Sequence, residues 1–312
     1  MNSASSPALS AETSQLAHCG PAIALEHLDA LWLQVAGTVC NLRCAHCFIS
    51  CAPENDTLGF LTLEAVLGWL ETARRHGVKE YYVTGGEPFM HVDLPAILEA
   101  ILRYAPVTVL TNGTLFTDRV LTRLVASETA SDYSLELRVS IDGPTPEIND
   151  PIRGEGTFER AMEGVRMLLD HGFLPILTAA RVWDSVDEET VREQFFAALG
   201  DVGCARPRLK ILPSLRIGRE ALRTGGYDRH HCVTEEMLES YDRGKLLCSN
   251  SRIVTSRGVH VCPILVDHPE SLMGPTLESA LRPFELRHRA CFTCWHYGAI
   301  CSNYGDIGRD AT

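Results

Sequence analysis

Two patterns of apolar residues alternate along the chain and predict its secondary structure. Short β-branched or apolar runs alternate with longer segments in which apolar residues recur every three to four positions. The segment 63–76 is typical of the second pattern, with Thr62 as a suitable N-cap and Gly77 as a suitable end. We predict strands over 31–36, 80–84, 107–110, 135–141, 174–179 and 208–212. We predict helices over 63–76, 94–104, 118–126, 157–171 and 188–199.

This alternation of strands and helices predicts an α/β fold with a parallel sheet. Six strand–helix units fall short of the eight that close a full barrel. The pattern breaks after the last strand, so we place a domain boundary near residue 215. The predicted domains are a leader over 1–29, a strand–helix domain over 30–214, a linker over 215–247 and a cysteine-rich domain over 248–312.

Composition and charge exclude several classes of protein. The chain has 312 residues, enough for one large domain and a small one. Its net charge of −12 argues against nucleic acid as a partner. No apolar run reaches the roughly 20 residues of a membrane span, and the N-terminal residues do not have the pattern of a signal peptide. We therefore predict a cytoplasmic protein without a membrane partner.

Twelve cysteines point to metal binding, because disulfides belong mainly to oxidising compartments and small secreted domains. Cys40, Cys44 and Cys47 lie on one loop after the first predicted strand. A structural zinc site needs four ligands, whereas three thiolates can hold three irons of a cubane cluster and leave the fourth iron open. A partial zinc site or three buried cysteines are the alternatives.

The second predicted strand ends in Gly85-Gly86-Glu87-Pro88, where glycines allow a ligand to approach the main chain. The C-x-x-x-C-x-x-C loop followed by Gly-Gly-Glu-Pro resembles the radical S-adenosylmethionine (SAM) superfamily. The resemblance implies a partial (β/α)6 TIM-like barrel with a [4Fe-4S] cluster whose open iron chelates SAM. One electron from that cluster would cleave SAM to a 5′-deoxyadenosyl radical.

The same resemblance implies which residues contact SAM. The Gly-Gly-Glu-Pro motif would hold its amino group, and Ser140 with the following loop would contact its ribose and carboxylate. For Asn112 and Asp142, turn formation is an equally good interpretation. The predicted SAM-binding residues are Gly85, Gly86, Glu87, Asn112, Ser140 and Arg153.

The C-terminal cysteines form a second set, with the first two near the open ends of a predicted β-hairpin. This set resembles the auxiliary-cluster domain of radical SAM enzymes in its short "twitch" or truncated SPASM form. It implies a small β-hairpin/helix domain with a second, auxiliary [4Fe-4S] cluster. The alternative is a four-cysteine zinc site. The predicted ligands are Cys248, Cys262, Cys291 and Cys294, with Cys301 as an alternative ligand.

The predicted function is a radical SAM enzyme that abstracts hydrogen from a small molecule or a peptide. The auxiliary cluster would accept an electron, so the net result is an oxidation such as dehydrogenation, or a bond formation. Epimerisation is the alternative if a cysteine returns hydrogen, with Cys51 as one candidate. A flavodoxin or ferredoxin would supply electrons. A non-catalytic iron–sulfur electron carrier is the alternative from another class. Candidate acid–base residues are His91, Asp184, Asp267 and His268.

Overall fold

The structure, a computed structural model, describes residues 20–183, 187–298 and 300–301. Its strands are β1 (Ala22–Ile23), β2 (Ala30–Gln34), β3 (Glu80–Thr84), β4 (Val107–Thr111), β5 (Leu135–Ser140), β6 (Ile176–Ala180), β7 (Leu209–Leu212), β8 (Ser251–Thr255), β9 (Gly258–His260), β10 (Leu272–Gly274) and β11 (Phe284–Glu285). Its helices are α1 (Leu63–Arg75), α2 (Leu94–Ile101), α3 (Asp118–Thr129), α4 (Pro146–Arg153), α5 (Thr157–Asp170), α6 (Glu188–Asp201), α7 (Gly218–Thr224), α8 (Glu235–Leu238) and α9 (Ala290–Tyr297).

The strands β2 to β7 lie side by side in sequence order, and every neighbouring pair is parallel. A helix follows each of the strands from β2 to β6. The predicted α/β fold with a six-stranded partial barrel is therefore confirmed. The carboxyl ends of the six strands meet at one edge, which is where parallel barrels carry their functional residues.

Alternate residues of the strands belong to two separate apolar clusters. Leu31 and Val83 pack with the helices in the larger cluster. Trp32 and Tyr82 belong to a smaller cluster on the inner face of the sheet, where their rings stack with centroids 4.2 Å apart. The three cysteines of the N-terminal set pack with this inner cluster. The inner face, here called the lumen, therefore leads directly to the cysteine loop.

The predicted C-terminal hairpin forms from β8 and β9, and it is not a separate sheet. Strand β8 pairs in parallel with β2, so that Trp32 is opposite Ile253. This pairing extends the barrel sheet to nine strands, in the order β10-β9-β8-β2-β3-β4-β5-β6-β7. The strand before the first cysteine set and the strand between two cysteines of the second set are thus direct neighbours.

Several segments differ locally from the predicted elements. The loop expected before the predicted helix 157–171 contains α4, and the segment predicted as a linker contains α7 and α8. A 3-10 turn, Glu278–Ala280, lies between the second and third cysteines of the C-terminal set. Residues 22–23 of the predicted leader form β1, which pairs with β11. The predicted domain limits remain a prediction.

Candidate functional site

The loop with the first three cysteines begins where β2 ends. The backbone N–H of Cys40 donates to the carbonyl of Ala52 at 3.2 Å, which brings the two ends of the loop together. The N–H of Ala45 donates at 2.7 Å to Ile152, at the end of α4. The loop is therefore fixed both to itself and to the segment that follows β5.

The Gly-Gly-Glu-Pro motif packs directly against the backbone that enters this loop. A Cβ atom on Gly86 would lie 1.9 Å from the carbonyl oxygen of Val39, so only glycine fits there. The next N–H, of Glu87, donates to the same carbonyl at 3.1 Å. The motif thus holds the cysteine loop against the end of β3.

The side chain of Glu87 is fully buried and organises the neighbouring strand end. Its Oε1 accepts hydrogen bonds from the Thr111 hydroxyl at 2.8 Å and the Phe89 N–H at 3.0 Å. Its Oε2 accepts the N–H of Asn112 at 2.7 Å. Burial raises the pKa of Glu87 to about 7 in spite of these donors.

Asn112 connects the end of β4 to the cysteine loop. Its side-chain nitrogen donates to Asn41 Oδ1 at 2.8 Å and lies 3.9 Å from the sulfur of Cys40. Its Oδ1 accepts from the N–H and the hydroxyl of Thr114, so the residue also forms the predicted turn. The two interpretations of Asn112 are therefore compatible.

A buried carboxylate lies at the end of β5. Asp142 Oδ2 is 2.5 Å from Arg153 Nε and 2.8 Å from His46 Nε2, and Oδ1 accepts the N–H of Ala180 at 2.7 Å. Burial alone would raise the pKa of Asp142, but the Arg153 and His46 charges outweigh it and hold that pKa below its usual range. Arg153 thus has an internal carboxylate partner, and its contact with SAM remains a prediction.

Arg219, at the start of α7, was not predicted to belong to the site. Its Nε donates to the Cys44 carbonyl at 2.9 Å, and its Nη1 donates to the Ser50 carbonyl at 3.3 Å. Its Nη2 also donates to the carbonyl of Cys51. These contacts join residues about 170 positions apart in the chain, so no local pattern indicates them.

Burial changes how readily the thiols of the first set lose their protons. Burial raises the pKa of Cys40 to about 12 and that of Cys44 to about 11. Thiolates are the ligands of iron–sulfur clusters, so the charge of bound iron would have to offset this desolvation. Cys47 differs, because a hydrogen bond from Cys51 lowers its pKa to about 6.

The remaining predicted residues of this region have clear positions. The buried Cys51 lies with its sulfur 3.9 Å from the carbonyl oxygen of Gly85, and its N–H donates to Cys47 Sγ at 3.3 Å. Cys51 therefore lies between the cysteine loop and the Gly-Gly-Glu-Pro motif. Ser140 is half-buried, ends β5 and is opposite Thr178 in the sheet.

The second cysteine set converges on one apolar cavity. Cys248 precedes β8, Cys262 follows β9, and Cys291 and Cys294 lie one turn apart on α9. All four side chains are buried, and burial raises the pKa of each thiol. Four thiols around one cavity are consistent with a second cluster.

Within the residues that the structure describes, no three His, Cys, Asp or Glu side chains could hold one metal ion. A tetrahedral zinc ion with Zn–S bonds of about 2.3 Å would need its sulfurs about 3.8 Å apart. Thiolates of a four-iron cluster bind different irons and stand farther apart. The choice between zinc and a four-iron cluster for the second set stays a prediction.

Cys301 lies outside that cavity, towards the lumen. It packs with both apolar clusters, and its carbonyl accepts a 2.7 Å hydrogen bond from Nη1 of Arg138, a buried residue of β5. Burial raises the pKa of its thiol to about 12. The four other cysteines thus surround the cavity without Cys301, although its role as alternative ligand remains a prediction.

Three of the candidate acid–base residues, His91, Asp267 and His268, lie in the part of the chain that the structure describes. His91 has a structural role, because Nε2 is 2.6 Å from the Leu61 carbonyl and Nδ1 accepts the N–H of Asp93. The ring of His268 lies against that of His288, with centroids 4.2 Å apart. Burial raises the pKa of Asp267. Asp184 lies outside the described residues.

The family model of the radical SAM superfamily matches residues 35–193 of this sequence. The chain belongs to the radical SAM superfamily. That range extends from the end of β2 into α6, and it includes the three-cysteine loop and the Gly-Gly-Glu-Pro motif. SAM and a [4Fe-4S] cluster, the cofactors predicted from the first cysteine set, are those of this family.

Two curated relatives are similar in sequence to part of this chain. The antilisterial bacteriocin subtilosin biosynthesis protein AlbA of Bacillus subtilis is 33% identical over 158 residues, which are 49% of this chain and 32% of AlbA. The mycofactocin maturase MftC of Mycolicibacterium smegmatis is 28% identical over 219 residues, which are 69% of this chain and 51% of MftC. The chain thus spans between a third and about half of the length of these relatives.

Two solved radical SAM structures share the fold. Streptococcus suis SuiB bound to the precursor peptide SuiA has a TM-score of 0.57 at 14% identity, over 79% of this chain and 62% of SuiB. Native anSMEcpe with bound AdoMet has a TM-score of 0.57 at 15% identity, over 80% of this chain and 79% of that protein. In the part of the chain that is described, we find no helix long and apolar enough to cross a membrane.

Proposed function

We propose that the chain is an enzyme that cleaves SAM reductively and uses the 5′-deoxyadenosyl radical to abstract hydrogen from a substrate. The observation that carries this proposal is the convergence of three motifs at one edge of the barrel. The cysteine loop, the Gly-Gly-Glu-Pro motif and the end of β4 are joined by the hydrogen bonds of Glu87 and Asn112. When bound, the cluster supplies the electron that cleaves SAM.

The chain's own residues bind and orient the cofactor in this proposal. Gly86 allows SAM to approach the main chain, and Glu87 keeps the end of β4 in place beside it. Asn112, Ser140 and Arg153 are at or after the ends of β4 and β5, and we assign them to SAM on the strength of the family motifs. Parallel barrels use these strand ends for their chemistry.

We further propose that the second cysteine set holds an auxiliary [4Fe-4S] cluster that accepts an electron from the substrate radical. The four thiols around the apolar cavity support this assignment. The parallel pairing of β8 with β2 places Cys248 and Cys262 near the amino end of β2, one strand length of ~16 Å from the cysteine loop at its carboxyl end. An auxiliary cluster that accepts an electron favours a net oxidation, such as dehydrogenation or bond formation.

The substrate we propose is a peptide or a small molecule. The relatives support a peptide, since one solved structure contains a precursor peptide and AlbA is a bacteriocin biosynthesis protein. A small molecule remains an equal candidate because the chain covers only part of those relatives. A flavodoxin or ferredoxin would supply the electrons.

The test compares iron, sulfide and electron paramagnetic resonance (EPR) spectra of anaerobically reconstituted proteins. Wild type should hold about eight irons, four for each cluster, and form 5′-deoxyadenosine from SAM under strong reductant. The triple variant Cys40→Ala, Cys44→Ala, Cys47→Ala should keep about four irons and form none. Cys204→Ala is the matched control, because Cys204 is buried but belongs to neither set.

Two other results would each contradict a different part of the proposal. About four irons in wild type, with none in the triple variant and zinc present, would make the second set a structural metal site. No 5′-deoxyadenosine from a fully loaded wild type would favour the electron carrier.

Epimerisation is a second candidate, and the position of Cys301 favours it. Its thiol is outside the auxiliary cavity and next to the lumen, whereas Cys51 lies against the carbonyl of Gly85. A thiol that returns hydrogen would carry solvent deuterium into the product in D₂O. Cys301→Ala should then abolish that deuterium while iron content stays unchanged, whereas a net oxidation gives no such deuterium.

A further inference from the structure

The first residue of α7, Gly218, packs so closely against the cysteine loop that no side chain would fit at this position. Gly218 has a φ of +56°, and a Cβ atom there would lie 2.3 Å from the carbonyl oxygen of Phe48. The N–H of the next residue, Arg219, donates to the Cys47 carbonyl at 3.1 Å. Glycine is therefore required by both the backbone conformation and the contact.

The side chain of Arg219 completes the contact by binding three more carbonyls of the same loop. Its guanidinium donates to the carbonyls of Cys44, Ser50 and Cys51. The planar guanidinium presents five donors in a fixed arrangement, which a lysine ammonium does not reproduce. Arg219 thus engages four carbonyls between residues 44 and 51.

The helix that carries Arg219 is itself held in place. Glu220, which is fully buried, accepts two hydrogen bonds at 2.8 Å from Arg223 and one from the hydroxyl of Ser214. Ile217 is buried in the main apolar cluster. Arg219 therefore belongs to a helix whose position is fixed by buried contacts.

The charge of Arg219 also matters, because three thiols of this region are close to it. The guanidinium donates to the carbonyls of Cys44 and Cys51, so its positive charge lies against the segment that carries the three thiols. A nearby positive charge favours the more negative form of any group. A reduced cluster carries one more negative charge than an oxidised cluster.

We infer that Arg219 is a positioning residue for the SAM-binding cluster, which holds the cysteine loop in its ligating conformation and favours the reduced cluster. This inference rests on the proposed function, because it assumes that the loop binds that cluster. It assigns a functional role to a segment whose sequence pattern indicates only a linker.

Two variants separate the role of position from that of charge. Arg219→Met removes both the donors and the charge, and Arg219→Lys keeps the charge but loses the fixed arrangement of donors. Arg206→Met, at an exposed arginine, is the matched control. Circular dichroism and the melting temperature of each unloaded protein show whether the variant folds.

The measurements are iron content and the midpoint potential of the cluster whose EPR signal changes when SAM is added. Arg219→Met should lose up to half of its iron, and the remaining SAM-responsive cluster should have a more negative midpoint than wild type. Arg219→Lys should restore the midpoint but not the full iron content. Gly218→Ala, which keeps the charge, should lower iron content without moving the midpoint of the cluster that remains.

The outcomes distinguish this inference from the proposed function. Iron content and midpoint equal to wild type in both Arg219→Met and Arg206→Met would overturn the inference alone. A wild type with no SAM-responsive cluster would instead overturn the proposed function. If Arg219→Met does not fold, Arg219→Lys decides, since wild-type iron content in that variant would overturn the positioning role.

Discussion

The carboxylate of Asp142 lies 2.8 Å from the imidazole of His46, and the two residues are in separate motifs of the chain. His46 lies between the second and third cysteines of the loop, and Asp142 lies two residues after the end of β5. The same carboxylate binds Arg153 at 2.5 Å. One buried side chain therefore connects the cysteine loop, the end of β5 and the end of α4.

The variant Asp142→Asn should destabilise the protein strongly. It removes the negative charge from a buried ion pair and leaves Arg153 without compensation, which typically costs about 3–5 kcal/mol. Urea unfolding of the unloaded protein measures this change. Glu163→Gln is the matched control, because it breaks an exposed ion pair with Arg166. Its midpoint of urea unfolding should stay near that of wild type. Equal midpoints for the two variants would contradict the prediction.

The variant Gly86→Ala should lower both stability and iron content. Its new methyl group would meet the Val39 carbonyl at 1.9 Å, so the backbone before Cys40 would have to move. Gly68→Ala is the matched control, because a Cβ at this position in α1 meets nothing within 4 Å. That control should gain up to about 1 kcal/mol from helix propensity. A Gly86→Ala protein as stable as wild type would show that this contact is not tight.

The buried Glu87 should make stability depend on pH in a defined window. Its pKa rises from an ordinary 4.5 to about 7 in the folded state. Between these values the folded protein binds more protons than the unfolded chain, so stability falls as pH rises and then levels off above about 7. The decline attributable to Glu87 is roughly 3 kcal/mol, at about 1.4 kcal/mol for each pKa unit.

Urea unfolding of wild type and Glu87→Gln between pH 4 and 8 measures this dependence. The variant should be less stable overall, because its amide cannot accept all three hydrogen bonds. The stability of Glu87→Gln should nevertheless not fall as the pH rises from 4.5 to about 7. Parallel curves for the two proteins would show that Glu87 does not titrate in this window.

Removal of iron should destabilise the C-terminal half of the described chain. If Cys248, Cys262, Cys291 and Cys294 bind one cluster, the cluster joins α9 to the β8–β9 hairpin, and metal binding contributes to folding. Chelation should lower the melting temperature of wild type and speed amide hydrogen exchange in α9. Cys291→Ala should show fast exchange in α9 before chelation and little further change in α9 after it. Exchange in α9 equal to that of wild type before chelation would contradict the prediction.

The sequence predicted the barrel well because its strands and helices follow local apolar patterns. All four thiols predicted for the second set line one cavity, and their role as ligands stays a prediction. The contacts of Arg219 could not be predicted, because they depend on how the chain returns to the cysteine loop after β7. The ion pair between Arg153 and Asp142 could not be predicted either. The two residues are close in sequence, but they meet only because helix α4, which was not predicted, folds between them.

The pairing of β2 with β8 means that the two cysteine-bearing halves cannot be separated cleanly. All five residues of β2 are buried, and β8 covers the side that does not face β3. A chain cut before residue 248 would turn β2 into a long apolar edge with unpaired backbone groups, which is a template for aggregation. The β8–β9 hairpin therefore protects β2 from pairing with strands of other molecules, whatever metal its cysteines bind.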